Sequence, residues 1–213
     1  MTKKAKPLRS DGKKTYQQLL DTAGNLFALH GLASTQSKLI ASEANVDVAL
    51  INYHFGSRQG LYQQALITAH ASIIHLEDLE SLIKRESNPQ QQLKSILHII
   101  VSAALTDDSW HFKLLAREFL APSENLQILM TKEIQPKIQI MKHIVSQISG
   151  IKPDDPALIP MLISVMSPCF VMLVAGNKVP GPLSEMRQQS VEQLTAHLYR
   201  FALGGLLAVR NAT

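Results

Sequence analysis

Apolar residues recur at steps of three and four along almost the whole chain, and this spacing restricts the chain to helices. The segment 16–27 shows the pattern clearly, because Leu19, Ala23 and Phe27 fall on one face of a helix. No run of residues alternates between apolar and polar with the period of two that a strand requires. The sequence therefore predicts an all-α protein whose helices pack against one another.

Residues that favour helix ends divide this pattern into segments. Gly31 ends the first helix, and Ser57 is a good cap for a long fourth helix. Asn88 and Pro89 begin another, since Pro is well tolerated at a first helical position. The predicted helices cover residues 16–30, 37–44, 48–54, 58–85, 89–106, 110–120, 124–149 (interrupted at Pro136), 157–175 and 184–209.

Positive charge is concentrated at the N-terminal end of the chain. Residues 1–60 hold 8 Lys or Arg and 4 Asp or Glu, whereas the remaining residues hold 13 of each. The formal net charge of +4 therefore lies entirely in the first 60 residues. Such asymmetry indicates a polyanionic partner for that end of the protein. A basic tail that only aids solubility would give the same pattern.

The segment 157–175 is apolar enough to be weighed as a membrane span. It carries no charge and is close to the minimum length for crossing a bilayer. It also contains Pro160 and Pro168, and no basic cluster lies just outside it. These features favour a helix buried in a core or at a subunit interface, and we expect no membrane partner.

The cysteine content and the N-terminus fit a cytoplasmic protein. Cys169 is the only cysteine, which excludes an intramolecular disulfide and a zinc site built from several cysteines. A chain of this size without a disulfide fits a reducing compartment. The first residues are polar and basic and lack the apolar stretch of a secretory signal.

Residues 37–54 predict two short helices joined by a three-residue turn, which is a helix-turn-helix. Asn45 lies in the turn, where a left-handed backbone is needed and Asn is the next-best choice after Gly. Asp47 can cap the second helix, and Ala41 is small where the first helix approaches the second. The exposed face of the second helix then offers side chains suited to base edges and phosphates.

The residues that follow, Tyr53 to Leu61, resemble the signature Y-H-F-x-S-K-x-x-L of TetR-type transcriptional regulators. The resemblance covers about residues 15–66. Asn45, Asp47 and Arg58 stand where the family commonly has Gly, Ser and Lys, and Asp47 adds a negative charge near the expected phosphates. The preceding parts of the pattern match in order at Leu26-Phe27, Gly31, Ile40-Ala41 and Ala44-Asn45-Val46.

The resemblance implies an all-helical homodimer that binds an operator in double-stranded DNA. Residues 1–60 would form the three-helix DNA-binding domain, and residues 61–213 a helical effector-binding and dimerisation domain. The basic arm, residues 3–14, would track phosphates or enter a minor groove; a tail attracted only diffusely to DNA is the alternative. The implied DNA-binding residues are Gln36, Ser37, Lys38, Val48, Ala49, Leu50, Asn52, Tyr53, His54 and Arg58.

The segment 114–123 resembles the L-x-x-R-E-x-x-x-P-S segment of the CecR-like subgroup of that family. Arg117 falls seven residues after Trp110, on nearly the same helical face. A buried Arg beside a Trp could hold an anionic or aromatic effector, whereas a salt bridge that fixes helix packing is the alternative. The candidate effector-binding residues are Trp110, Arg117, Glu118, Met166 and Phe170.

The last predicted helix carries a heptad-like seam of apolar and small residues. Together with segment 157–175, this helix resembles the two-helix contribution that each subunit makes to the four-helix bundle of TetR-type dimers. The candidate dimer-interface residues are Leu194, Leu198, Phe201 and Gly205.

The sequence thus predicts a DNA-binding transcriptional regulator, a repressor that leaves its operator when it binds a small molecule. Two alternatives stay open: a DNA-organising protein of the same fold without an effector, and an enzyme that uses the helical pocket. No phosphate-binding loop, dinucleotide fingerprint, nucleophile elbow or His-Glu-x-x-His motif occurs, so we expect no catalytic residues and no cofactor. The His residues lack ligand spacing, so we expect no metal site.

Overall fold

The computed structural model describes residues 8–106, 109–175 and 179–210, and every regular element in these ranges is helical. The prediction of an all-α protein is confirmed. The helices are α1 (Leu8–Ser34), α2 (Ser37–Glu43), α3 (Ala49–Phe55), α4 (Arg58–Ala71), α5 (Leu76–Arg85), α6 (Pro89–Thr106), α7 (Trp110–Leu120), α8 (Leu126–Leu129), a π-helical turn (Met130–Ile134), α9 (Gln135–Ser149), α10 (Leu158–Ala175), α11 (Pro182–Met186) and α12 (Val191–Arg210).

Two apolar cores organise these helices. The first is formed by α1, α2, α3 and α4 and also includes α7, whose Phe112 and Leu114 are buried in it. The second joins α5, α6, α9, α10 and α12. Helix α7 therefore belongs to the N-terminal core although it lies far along the chain, and the domain boundary predicted at residue 60 falls inside α4.

The predicted fourth helix, residues 58–85, is wrong as a single helix. It breaks after Ala71, and His75 has an extended backbone before α5 begins. At the break, the Ser72 hydroxyl donates to the carbonyl of Ala69 at 2.8 Å. Such local bonding by Ser competes with continuation of a helix. The apolar spacing did not reveal the break, because Ile73 continues the helical stripe across it.

Two other predicted helices are also interrupted. The segment 184–209 divides into α11 and α12, and Ser190 begins α12 by accepting a hydrogen bond from the Gln193 amide at 3.2 Å. The segment 124–149 contains the π-helical turn directly before Pro136, which lies in the first turn of α9. A π-helical turn adds a residue to the helix and rotates the side chains that follow it.

Helix α1 begins earlier than predicted. Residues 8–14 of the basic arm are helical and continuous with the rest of α1, and contact of the arm with DNA stays a prediction. Lys13 and Lys14 are exposed on this extension. The remaining basic residues of the arm, Lys3, Lys4 and Lys6, lie outside the described residues. Gly31 interrupts α1 with a positive φ of 77°, as expected of a helix-ending glycine.

Helix α10 is the one helix in the described part of the chain that is long and apolar enough to cross a membrane by length and composition. A core helix of a soluble protein passes the same test. In this fold α10 packs against α6, α7, α9 and α12. Its outer face keeps Ile163 and Val171 exposed.

Close packing of α1 against α7 depends on Gly24, because a Cβ added there would clash with the ring of Trp110. We expect Gly24→Ala to lower the free energy of unfolding by about 1–3 kcal/mol, since the indole must move within a well-packed core. Gly12→Ala is the matched control: it lies in the same helix with open space around it. The control should leave stability equal or higher by up to about 1 kcal/mol. Urea denaturation at one protein concentration measures both, and equal stabilities would contradict the packing assigned to Gly24.

Candidate nucleic-acid interface and effector cavity

The turn between α2 and α3 has the geometry that a helix-turn-helix requires. Asn45 adopts the left-handed conformation with a φ of 49°, and the Val46 amide donates to the Ala41 carbonyl at 3.0 Å. The Asp47 carboxylate accepts a hydrogen bond from the Ala49 amide at 2.7 Å and so caps the start of α3. The structural roles predicted for Asn45 and Asp47 are confirmed.

Helix α3 is anchored on one side and exposed on the other. Ile51 is buried in the N-terminal core, whereas Asn52 is exposed and Tyr53 is 80% exposed. His54 is held edge-on to the rings of Tyr53 and Tyr16, with centroids 4.8 Å and 5.9 Å away. Among the predicted DNA-binding residues, Gln36, Lys38, Val48, Ala49, Asn52 and Tyr53 are exposed, and Ser37, Leu50, His54 and Arg58 are half-buried.

Arg58 has a positioning role that the sequence did not predict. Its Nη1 donates to the carbonyl of Thr35 at 2.7 Å and to that of Leu32 at 3.1 Å. These carbonyls lie just after the interruption of α1 at Gly31, and that of Leu32 also accepts from the Thr35 amide at 3.3 Å. The guanidinium therefore joins the start of α4 to the connection between α1 and α2. Contact between Arg58 and a phosphate stays a prediction.

This role gives Arg58→Ala an effect that needs no DNA. We expect the free energy of unfolding to fall by about 1–2 kcal/mol, because two carbonyls, one of them on the buried Thr35, lose a charged donor. Lys38→Ala, which removes an exposed cation of α2, is the control and should leave stability within about 0.5 kcal/mol. Urea denaturation at fixed protein concentration makes the comparison. Unchanged stability of Arg58→Ala would contradict the positioning role.

An apolar cavity of about 410 Å³ lies between α7, α9 and α10. Its walls include Phe112, Leu115 and Phe119 of α7, and Met166 and Phe170 of α10. The rings of Phe119 and Phe170 meet edge-on with centroids 5.1 Å apart. The volume falls within the range of small-molecule sites, and the walls are almost wholly apolar, as in many such sites. We refer to it below as the apolar cavity.

Trp110 and Arg117 do not line this cavity, and the prediction that they contact an effector there is wrong. Trp110 is buried against Gly24 of α1 and stacks on His111 with centroids 3.9 Å apart. Arg117 is exposed, and its Nη2 donates to the His30 carbonyl at 3.3 Å. Both residues lie on the faces of α7 that contact the N-terminal core. Met166 and Phe170 do line the cavity.

Glu118 is also placed away from the cavity, in a buried hydrogen-bond network. It is 1% exposed and accepts from the Tyr62 hydroxyl at 2.6 Å. Its other oxygen accepts from the hydroxyl and amide of Ser123 at 2.7 Å and 3.0 Å. Burial, together with the hydrogen bond to Glu118, raises the pKa of Tyr62 above its usual value. The network connects α4 to the end of α7, so Glu118 is a packing residue in this structure.

One end of the apolar cavity is polar, which the sequence analysis missed. Lys137 is buried, and its Nζ lies 2.8 Å from Glu133 Oε2 and 3.1 Å from His70 Nδ1. Burial lowers the pKa of His70, and the Lys137 charge acts in the same direction. Burial alone would raise the pKa of Glu133, but the proximity of His70 and Lys137 holds it below its usual value. The sequence did hold an indication of this pair: Glu133 and Lys137 are four residues apart, which makes them neighbours on one face of a helix.

The candidate dimer residues divide between the core and the surface. Leu194 is 2% exposed and packs into its own chain's core, so its assignment to the dimer interface is wrong. Leu198 is half-buried against the same core. Phe201 is 75% exposed, and Gly205 is exposed with open space around it. Of the four candidates, Phe201 and Gly205 therefore lie on the outer face of α12.

No metal site is indicated by the residues whose positions the structure describes: within 8–106, 109–175 and 179–210, no three His, Cys, Asp or Glu side chains come together. The thiol of Cys169 is buried beside the apolar cavity, and burial raises its pKa to about 12. A thiol with so high a pKa is not a nucleophile at neutral pH.

Comparison with known proteins gives two family matches. Residues 89–206 match the C-terminal domain of the HTH-type transcriptional dual regulator CecR, and residues 19–65 match the tetR family of bacterial regulatory proteins. The chain is 27% identical to CecR from Shigella flexneri over 162 residues, which are 70% of each protein. It is 29% identical to the regulator AcrR from Shigella flexneri over 104 residues, and this match spans about half of each protein, 49% and 48%.

Solved structures share the fold at low identity. The fatty acid degradation regulator FadR from Bacillus halodurans has a TM-score of 0.68 at 14% identity, over 96% of this chain and 98% of that one. FadR from Bacillus subtilis, in complex with stearoyl-CoA, has a TM-score of 0.65 at 16% identity, over 89% of this chain and 98% of that one. At such identities the likeness shows the fold alone.

Proposed function

Since this chain belongs to the TetR family of bacterial transcriptional regulators and carries a CecR-type C-terminal domain, we propose that it is a homodimeric repressor. It binds a two-fold symmetric operator and leaves it when a small molecule occupies the apolar cavity. The regulators of this family are soluble DNA-binding proteins, which supports a cytoplasmic site of action. Enzymatic use of the cavity has no observation in its favour, since its walls are almost wholly apolar.

The proposed DNA contacts rest on the exposed face of α3. Ala49, Asn52 and Tyr53 are exposed there, on a helix whose opposite side is fixed by Ile51. A helix held in this way can enter the major groove and present side chains to base edges. Lys38 of α2 is exposed and would contact phosphates.

Dimerisation is proposed through the outer faces of α10 and α12. These faces expose Ile163, Val171 and Phe201, the last over 75% of its surface. Gly204 and Gly205 leave open space beside Phe201, which would let a helix of the partner approach closely. Large apolar side chains left exposed on these helices favour an interface rather than a solvent surface. By symmetry, the two helices of each subunit would form a four-helix bundle.

The position of α7 is the observation that supports control of DNA binding by an effector. One face of α7 lines the apolar cavity with Leu115 and Phe119. Other faces of the same helix contact the DNA-binding helices, through Trp110 against α1 and through Glu118 bonded to Tyr62 of α4. A ligand that shifts α7 must therefore shift α1 or α4. It can do so only by binding one arrangement of these helices more tightly than another.

The test is a screen of small apolar compounds for release of fluorescently labelled operator, measured by anisotropy. We expect at least one compound that saturates the protein to lower operator affinity by about tenfold or more, a typical allosteric coupling. Ala116→Phe places a ring in the cavity and should abolish this response while the protein still binds DNA. Ala121→Phe adds the same ring at an exposed position and should respond normally. Saturating compounds that leave operator affinity unchanged would contradict effector control.

A further inference from the structure

The polar end of the apolar cavity indicates what kind of molecule the cavity accepts, and this inference rests on the proposed effector role of the cavity. Apart from His70 and Lys137, the residues lining the cavity carry no ionisable or amide side chain except the buried thiol Cys169. The cavity volume of about 410 Å³ lies toward the lower end of the range of small-molecule sites. The cavity therefore suits a compact hydrocarbon body with one polar group, placed at the Lys137 end.

The polar end offers hydrogen-bond donors to such a ligand. Lys137 uses two of its three N–H groups on Glu133 and His70, and no described residue accepts from the third. Because Lys137 donates to Nδ1, the neutral ring of His70 carries its hydrogen on Nε2. No described residue accepts from that nitrogen either. Both side chains line the cavity, so the ligand group that satisfies them is a hydrogen-bond acceptor.

The charge of the polar end decides between a neutral and an anionic acceptor. Glu133 neutralises Lys137 at 2.8 Å, and burial keeps His70 uncharged at neutral pH, so the three side chains sum to zero. Glu133 itself is not part of the cavity wall. A carboxylate entering the cavity would bring a net negative charge among apolar side chains, which is costly. A carbonyl or ether oxygen would accept the same hydrogen bonds without that cost.

The π-helical turn contributes side chains to this arrangement. It places Met130 and Ile134 in the cavity wall and Glu133 beside Lys137 of the following helix. Such turns occur frequently at functional sites because they redirect side chains within a continuous helix. We therefore propose that the apolar cavity binds an uncharged molecule with a hydrocarbon body and one carbonyl or ether oxygen, which accepts hydrogen bonds from Lys137 and His70.

Two matched probes test this proposal without DNA. Undecan-2-one and decanoate share one alkyl chain and the same number of non-hydrogen atoms, and a methyl group in the first replaces a charged oxygen in the second. Calorimetric titration of the full-length protein at neutral pH should show undecan-2-one binding at least about tenfold more tightly. Equal or tighter binding of decanoate, or no binding of either probe, would overturn the proposal.

The variant Glu133→Gln sharpens the test, because it leaves Lys137 without its counter-charge. We expect decanoate affinity to rise by about tenfold or more, whereas undecan-2-one affinity changes little. The double variant Glu133→Gln/Lys137→Gln restores zero charge and should lose the gain. Glu80→Gln, on the exposed surface of α5, is the matched control and should bind as the wild type. A decanoate affinity that is the same in Glu133→Gln and wild type would overturn the charge argument.

These outcomes separate the ligand class from the proposed regulatory function. If undecan-2-one binds as expected but operator affinity does not respond, the ligand class stands and effector control fails. If operator affinity responds to decanoate and not to the ketone, effector control stands and the ligand class is wrong. Should Glu133→Gln fail to fold, as judged by circular dichroism, the wild-type comparison of the two probes decides the proposal alone.

Discussion

Replacing Phe201 with Asp should convert the dimer into monomers. Phe201 is 75% exposed on α12 and lies beside the open surface at Gly204 and Gly205. In a two-fold interface the substitution acts twice, and it buries two carboxylates where two rings had packed. We expect the dimer dissociation constant to rise by at least about 100-fold, which corresponds to about 3 kcal/mol. Sedimentation equilibrium over a range of concentrations measures this directly.

The matched control for this prediction is Leu29→Asp. Leu29 is 71% exposed on α1, close to the exposure of Phe201, but it belongs to neither α10 nor α12. Its substitution should leave the dimer intact. Phe201→Asp should also weaken operator binding strongly, because two half-sites are no longer bound by one linked pair of subunits. A Phe201→Asp protein that stays dimeric at micromolar concentration would show that the subunits meet elsewhere.

The second large effect is expected at α3, the helix that we propose contacts base edges. Asn52 is exposed on α3, whereas Lys38 is exposed on α2, where we expect phosphates to pass. Contacts to base edges discriminate sequence, and contacts to phosphates supply salt-sensitive affinity without discrimination. Asn52→Ala should cost about 1–3 kcal/mol on the operator, relax preference at one or two positions, and leave binding to scrambled DNA unchanged.

Lys38→Ala provides the contrasting result. We expect it to weaken operator and scrambled DNA alike and to reduce the slope of log affinity against log salt by about one. Titrations of both variants on both DNAs at several salt concentrations make the comparison. If Asn52→Ala weakens both DNAs equally while Lys38→Ala changes sequence preference, α3 must lie rotated in the groove relative to our placement.

The parts of the fold that depend on local chemistry were predictable from the sequence. Asn45 in a left-handed turn, Asp47 capping α3 and Ser57 capping α4 each follow from what one side chain can do for the backbone near it. The break after Ala71 was not predictable in this way. Ile73 continues the helical stripe across it, and the break is seen only in the folded chain, where the Ser72 hydroxyl bonds to the Ala69 carbonyl and α4 and α5 pack into different cores.

The sequence does not show which apolar face of a helix packs into the chain's own core and which is left for a partner subunit. Periodicity placed Leu194 and Phe201 in one seam, but it does not say which of them meets the chain's own core. The same ambiguity arises for α7, because this helix is buried on several faces. Trp110 packs against α1, whereas Phe119 lines the apolar cavity. The polar end of the cavity joins His70 to Lys137, which are 67 residues apart, and such a pairing exists only in the folded chain.

Selection of bound DNA from a random pool tests the central claim most directly. The wild-type protein is incubated with random duplexes, and the retained DNA is sequenced over several rounds. A dimer that reads DNA through α3 should enrich one motif made of two inverted half-sites, because operator symmetry mirrors the two-fold symmetry of the protein. The Asn52→Ala variant should enrich a motif degenerate at one or two positions in each half. Retained DNA without a common motif, or a motif without two-fold symmetry, would contradict the account.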